Sequence, residues 1–392
     1  MKQTSGFIST YSADAFGVCS ALYELGGLVV MHDASGCNST YTTHDEPRWY
    51  DMDSMVYISG LTEIEAIMGD DGRLIDDIIN AAAELHPKFI AIVGTTIPAM
   101  TGFDADATAR VVENRTGIPT FGFKTTGMRS YIHGASEAFC TLAELVKTAN
   151  NTKQAKNTNE QTEKSEETDI DIRIGDSINI LGLTPLDFSV NGSDKAIKAY
   201  YEDRGAKVIS SWAMGSTLEE IQGALRATEN IVVSETGIKA AAYMKEHFGI
   251  PFKVGIPVGG MDIDITSLYR DETGERCFES VSSGYEDCDA VIIGEAVSSY
   301  SLAEYLKRAA GLNVGVIAST DLDEDEIARG LSSTKTDCVI IADPLFKPLV
   351  KGERKLMRLP HEAFSGRIFR KEIPDLISDL DFLKDIITVI RK

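Results

Sequence analysis

Two histidines, one cysteine and three carboxylates fall within the seventeen residues His32 to Arg48, HDASGCNSTYTTHDEPR. Soft thiolate ligands favour iron–sulfur clusters or zinc, and histidines beside carboxylates suit metal ligation or proton transfer. Ser35-Gly36 leads into Cys37, and glycine removes the Cβ that would hold backbone away from a bulky partner. His32 and Asp33 precede this thiol, and His44-Asp45-Glu46 follows it. The run Leu28-Val29-Val30-Met31 reads as a short buried parallel strand, apolar without alternation. That puts Cys37 in a polar loop at the carboxyl end of a strand, where open α/β sheets place ligands. The competing reading is a loop cysteine with no chemistry.

Other groups are weighed in the same way. Cys19 lies in a helical stretch, DAFGVCSALYELGG, as the other thiol of the first unit able to hold metal; the alternative is a small buried hydrophobe. Cys140, Cys277, Cys288 and Cys338 read as structural. His361, in PHEAFSGR, is a further candidate, whereas His86 and His247 read as structural. Glu63 and Glu65 suit a helix N-terminus, where the dipole favours carboxylates. Gly94-Thr95-Thr96 and Gly122 to Gly127 each follow a strand and offer N–H groups to an anion, or make plain strand-to-helix turns. Neither GxGxxG after a strand nor GxxxxGK[ST] occurs, so no NAD and no ATP bound by this chain are expected.

The elements that must position these groups alternate. Strands are expected at Leu28–Met31, Met55–Ser59, Phe89–Val93 and Pro119–Phe123. Helices are expected at Thr62–Gly69, Leu74–Leu85, Ala105–Arg115 and Ser130–Val146. After a polar stretch without large apolar residues, strands follow at Ile178–Leu181, Val208–Ser210 and Ile231–Val233. Helices follow at Ser193–Arg204, from a capping box at Ser216 to Glu219 through Leu225, and at Ile238–Phe248. A third series has strands Ala290–Ile293, Val314–Ala318 and Cys338–Ala342, and helices Ser299–Ala310, Glu324–Arg329 and one after Pro374. LPHEAFSGRIF is read as a loop. The βαβα order predicts an α/β fold of three serial Rossmann-like units with parallel sheets flanked by helices. The boundaries are 1–148, a polar disordered linker at 149–171, 172–284, and 285–392 with a C-terminal helix.

A chain of 392 residues suits two or three domains. A net charge of −22 argues against nucleic acid or an anionic membrane as partner. Six scattered cysteines suit a reducing compartment. No secretion signal is read at the N-terminus and no membrane span in the chain, so a cytoplasmic location is expected.

With these pieces placed, the chain resembles the nitrogenase component 1 family. The family's H-G-x-x-G-C turn is similar to His32-Asp33-Ala34-Ser35-Gly36-Cys37. The segment from Asp45 to Asp71 resembles the β-type subunit. Gly94-Thr95-Thr96 matches the strand end before the family's third cluster cysteine, and Thr125 to Gly134, with Ser130, its glycine-rich turn. Asn230 to Val233, Gly249 to Phe252 and Gly255 to Gly260 match the middle domain.

The resemblance implies an iron–sulfur cluster at a subunit interface, here a 4Fe–4S centre held by Cys37 and Cys19 and shared between two chains. Thr95, Thr96 and Ser130 would stand beside it, and His32, His44 and His361 would be catalytic. The first family cluster position falls near Ser12 or Ala13 and the third on Thr96 or Ile97. Ser234 stands where the α-type cofactor thiol would be, and His361 is about one residue from the cofactor histidine position. The implied partners are an ATP-dependent iron-protein-like reductase and a second component 1 chain, as homodimer or heterodimer. The implied role is an electron-accepting oxidoreductase subunit whose substrate is not expected to be dinitrogen. The alternatives are a scaffold for metallocluster or tetrapyrrole assembly and a metal-free small-molecule binder.

Overall fold

The computed structural model describes residues 9–36, 38–158, 175–269, 285–318, 324–352 and 354–392. Cys37, Cys277 and the His44 side chain lie outside the described residues.

The first unit contains α1 (Asp14–Leu22), β1 (Leu28–Met31), β2 (Met55–Ile58), α2 (Glu63–Met68), α3 (Gly72–Leu85), β3 (Ile90–Val93), α4 (Thr96–Thr101), α5 (Ala105–Thr116), β4 (Thr120–Phe123) and α6 (Tyr131–Thr158). The second contains β5 (Ser177–Leu183), α7 (Pro185–Phe188), α8 (Ser193–Glu202), β6 (Lys207–Ala213), α9 (Leu218–Gln222), β7 (Glu229–Val232), α10 (Ile238–Phe248) and β8 (Phe252–Val254). The third contains β9 (Ala290–Gly294), α11 (Ala296–Ala310), β10 (Val314–Ala318), α12 (Glu324–Ser332), β11 (Val339–Ala342), β12 (Leu356–Arg358), α13 (Glu362–Phe369) and α14 (Leu380–Ile390).

Each unit builds a four-stranded parallel sheet, and all three repeat one strand order: β2-β1-β3-β4, β6-β5-β7-β8 and β10-β9-β11-β12. β1, β3 and β11 are buried along their whole length, which explains their unbroken apolar sequence, and β5 is equally buried although it carries Ser177 and Asn179. One apolar core joins the first two sheets through Phe89, Phe139 and Trp212. A second joins the latter two through Ile180, Ile292 and Leu302.

Close backbone approach fixes α1 against α6. A Cβ on Gly17 would stand 1.9 Å from the Tyr131 carbonyl oxygen, and one on Gly134 the same distance from that of Asp14. Both contacts are far inside van der Waals range, so only glycine fits either side. The Asp14 carboxylate also accepts from the N–H groups of Thr126 and Gly127, at 2.9 and 2.7 Å. The turn that offered donors to an anion is thus satisfied by the chain's own side chain.

Several expectations shift. The helix expected to stop at Val146 runs to Thr158 and enters the segment read as a linker. That stretch lacks Gly and Pro, so nothing breaks a helix already nucleated on the core. The capping box sits one residue later, at Thr217 and Glu220, and α9 stops at Gly223 rather than Leu225. The loop around His361 is in fact the start of α13, and α7, β8 and β12 were not expected; all are short and outside simple periodicity.

Candidate functional site

In this strand order the connections leave in opposite directions between the first and third strands of each sheet, which opens a crevice at their carboxyl ends. In the second sheet, β5 leads to Thr184 and Asp187, and β7 leads to Ser234. In the third, β9 leads to Glu295 and β11 to Asp343. These two crevices face each other across one cavity of about 50 Å3, lined by Asp187, Glu295, Asp343 and His361 with the apolar Phe364 and Ile377.

Asp187 collects donors from two units. It accepts from the Tyr131 hydroxyl on α6, from Ser234 Oγ at 2.6 Å and from Thr184 Oγ1 at 2.8 Å. Glu295 caps α11, its Oε1 accepting from Val297 N at 3.0 Å and its Oε2 from Ser298 N at 2.8 Å. Its Oε1 also takes Glu235 N at 2.9 Å, tying the third sheet to the second. Asp343 holds the His361 backbone N–H at 2.8 Å and the Ser365 hydroxyl at 2.5 Å.

His361 is the unusual member. Both ring nitrogens are buried and neither has a hydrogen-bond partner among the described residues. Its Nε2 lies 3.6 Å from Asp187 Oδ1, beyond hydrogen-bond reach but within ion-pair range. Buried polar atoms of this kind need a partner, and the adjoining cavity is large enough for water. Burial alone would lower the His361 pKa, but Asp187, Asp343 and Glu295 raise it above the ordinary value. Burial and the Asp187 charge raise Glu295 to about 7 against the pull of its three N–H donors. Burial likewise raises Asp343 and Tyr131.

The crevice of the first sheet holds the loop that opens at His32. Its backbone N–H binds Val93 O at 2.8 Å, and Thr95 Oγ1 donates to its carbonyl at 2.8 Å. The ring packs on Phe103, with Nδ1 2.9 Å from Ser59 Oγ, and burial lowers its pKa to about 4. His32 is therefore neutral near pH 7. The end of this loop reaches the cavity's own helix: Arg370 donates to Asp45 O at 2.9 Å and pairs with Glu362 at 2.7 Å. Glu362 in turn accepts from Ser189 Oγ at 2.6 Å.

The expected site residues divide. His32, Thr95 and Thr96 surround the first crevice, while His361 belongs to the other cavity. Cys37 lies outside the described residues, between an exposed Gly36 and a half-buried Asn38. Cys19 departs from the ligand reading. It is 0% exposed within this one chain, inside an apolar core, and burial pushes its thiol pKa far up, away from the thiolate a metal needs. The Ser130 hydroxyl is buried without a partner among the described residues, its backbone bridged to Ala13. Cys140, Cys288 and Cys338 are free thiols, the last two buried. Glu65 keeps its helix-start role, pairing with Thr62 and Arg73, which hold its carboxyl down at about 2.

Among the described residues no three His, Cys, Asp or Glu side chains converge on one point as a metal site. The cavity, about 50 Å3, does not fit a large metallocluster or tetrapyrrole, since such ligands need several hundred Å3. Ser234, expected from the resemblance to stand where a cofactor thiol would be, spends its hydroxyl proton on Asp187. Asp187, Glu295 and Asp343 escaped sequence reasoning, although each follows a strand of the inner pair.

Three serial parallel sheets of one strand order, with switch-point crevices in each, define a three-unit α/β architecture. A family model described as nitrogenase component 1 type oxidoreductase matches residues 15–266, and the chain belongs to that family. It is 28% identical over 197 residues to the nitrogenase iron-molybdenum cofactor biosynthesis protein NifE of Clostridium pasteurianum, covering 50% of this chain and 38% of that protein. It is 24% identical over 304 residues to a light-independent protochlorophyllide reductase chain of Leptolyngbya boryana, covering 70% of this chain and 57% of that one. A solved structure of nitrogenase Cp1 at pH 5 shares the fold with a TM-score of 0.59 and 15% identity, covering 100% of this chain and 90% of that one. No helix among the described residues is long and apolar enough to cross a membrane.

Proposed function

We propose that this chain is a nitrogenase-like component 1 subunit that receives low-potential electrons from an ATP-dependent iron-protein-like reductase and reduces a substrate other than dinitrogen. The observation that carries the reading is an exposed apolar face beside Ala34, in the loop that opens at His32. α2 leaves Ile64, Ile67 and Met68 exposed, and α4 leaves Met100 exposed, with Met128 also exposed in the loop before α6. Between α2 and α4 an open groove of about 560 Å3 is lined by Ala34, Leu61, Ile67 and Ile97. Apolar surface of this extent marks a protein partner, here a second component 1 chain, either a copy or a paralogue. In this reading Cys37 supplies one ligand of a 4Fe–4S cluster, the partner supplies others, and His32 and His44 flank it. When bound, such a cluster supplies one-electron transfer at low potential. His361 serves the substrate in the interdomain cavity. Free thiols and the acidic surface accord with a cytoplasmic location.

Iron and acid-labile sulfide analysis of anaerobically purified protein, alone and with its co-purifying chain, tests this. Bound iron that is lost in Cys37→Ala and kept in Cys140→Ala is expected. Metal-free protein in both preparations rejects the cluster.

A non-catalytic scaffold is the second reading. Ser234 in place of the cofactor thiol favours it, as does the likeness to a cofactor biosynthesis protein. Stoichiometric release of a bound cofactor without turnover by a reductase would select it.

A further inference from the structure

The cavity between the second and third units has more places to accept hydrogen bonds than the fold fills. Asp187, Glu295 and Asp343 line it, all buried, and no Lys or Arg lines it among the described residues. A carboxylate can accept about four hydrogen bonds. Asp187 takes the Tyr131 hydroxyl on Oδ1, and Thr184 and Ser234 on Oδ2. Glu295 takes Val297 N and Glu235 N on Oε1, and Ser298 N alone on Oε2. Asp343 takes His361 N and the Ser365 hydroxyl on Oδ2, and Leu345 N alone on Oδ1. Each acid therefore keeps one oxygen with a single donor. The His361 ring adds its two nitrogens, buried and without a partner among the described residues. Three acids face one imidazole, and what the wall lacks is a positive group carrying N–H bonds.

We propose that the substrate of this cavity is a small organic cation whose N–H groups sit on an apolar body. The proposal rests on the reading above that the interdomain cavity takes the substrate, and it adds the chemistry of that substrate. Nε2 of His361 and Oδ1 of Asp187 stand 3.6 Å apart, too far to bond each other. One ammonium-type nitrogen between them can donate to both, with the ring neutral and accepting. Its positive charge offsets acids that the fold buries without a cationic side chain beside them. The space of about 50 Å3 is that of roughly four water molecules, so the body is short. Phe188, Ile293 and Phe364 make much of the remaining wall, which suits an alkyl chain. A metal ion finds no ligand set, because no three acidic, thiol or imidazole groups converge among the described residues. An anion would meet three carboxylates and gain no fixed cation.

Binding needs neither cluster nor reductase, so calorimetry on the full chain in sodium chloride buffer tests it, with propylammonium as the probe. Saturable binding of propylammonium is expected. Propionate, of similar size and opposite charge, should not bind. Tetrapropylammonium, of the same charge but bulky and without N–H bonds, should not bind either. Asp187→Asn and Glu295→Gln should each weaken propylammonium binding by about tenfold, the worth of one charge-assisted hydrogen bond. No saturable binding of propylammonium, or equal binding of propionate, overturns the proposal. So does equal binding of tetrapropylammonium, which would mark attraction to the acidic surface, or an affinity unchanged in both variants. If the variants fail to fold, the comparison of the three probes on the wild-type chain decides. Binding by a protein free of iron keeps this site and rejects the electron-transfer reading; an iron-loaded protein indifferent to propylammonium does the reverse.

Discussion

Nε2 of His361 and Oδ1 of Asp187 stand 3.6 Å apart, one from the third sheet's side and one from the second's. Tyr131 of the first unit binds the same Asp187 oxygen, so all three units meet on one carboxylate. Charge in this cavity is therefore coupled to how the units sit together.

Stability should fall as pH rises through neutrality. Glu295 and His361 both have folded pKa values above their ordinary ones. At His32, lowered to about 4 by burial, the fold binds fewer protons than the unfolded chain, which offsets Glu295 below the ordinary histidine value. At Glu295 and His361 it binds more. That stabilisation is complete below the unfolded Glu value, about 4.3, and fades through about 7 for Glu295 and through the raised His361 value beyond. Each group adds a slope of at most about 1.4 kcal/mol per pH unit in its own window. Thermal unfolding against pH should give a flatter profile for Glu295→Gln and Asp187→Asn than for wild type; parallel profiles would count against the raised values.

Cys19→Ser should cost about 1–3 kcal/mol by burying a hydroxyl in an apolar core, and should leave iron content unchanged. Loss of iron equal to that of Cys37→Ala would return Cys19 to the ligand set.

Gly17→Ala and Gly134→Ala should each destabilise by about 2–3 kcal/mol, because the added methyl meets a carbonyl rather than a movable side chain. Urea unfolding measures this, and a change under about 0.5 kcal/mol would mean that α1 and α6 separate easily.

Arg48 is buried between Glu46 at 2.7 Å and Glu24 at 3.0 Å, and it also donates to the Ala213 carbonyl of the second unit at 3.2 Å. Arg48→Met strands a buried Glu46 carboxylate and should cost about 3–5 kcal/mol. Adding Glu46→Gln should recover part of that loss. An additive double mutant would show that the pair is not coupled.

Much of the fold was readable from residue order. Apolar runs such as Ile90–Val93 and Val314–Ala318 are buried on both faces, and helices such as Ile238–Phe248 end at a glycine the sequence displays. Short elements escaped, because α7 and β12 are four and three residues long and show no period.

The site divides along the same line. Local sequence determined that His32 and the Cys37 loop follow a buried strand, since strand and turn are properties of neighbouring residues. Only tertiary structure decided that Asp187, Glu295, Asp343 and His361 enclose one cavity, and that Cys19 is sealed in a core. Those facts depend on how three sheets of identical strand order turn toward one another. That orientation is fixed by contacts between residues far apart in the chain, such as the Tyr131 hydroxyl on α6 with His361's neighbour Asp187 and Ser189 with Glu362, which no local pattern records.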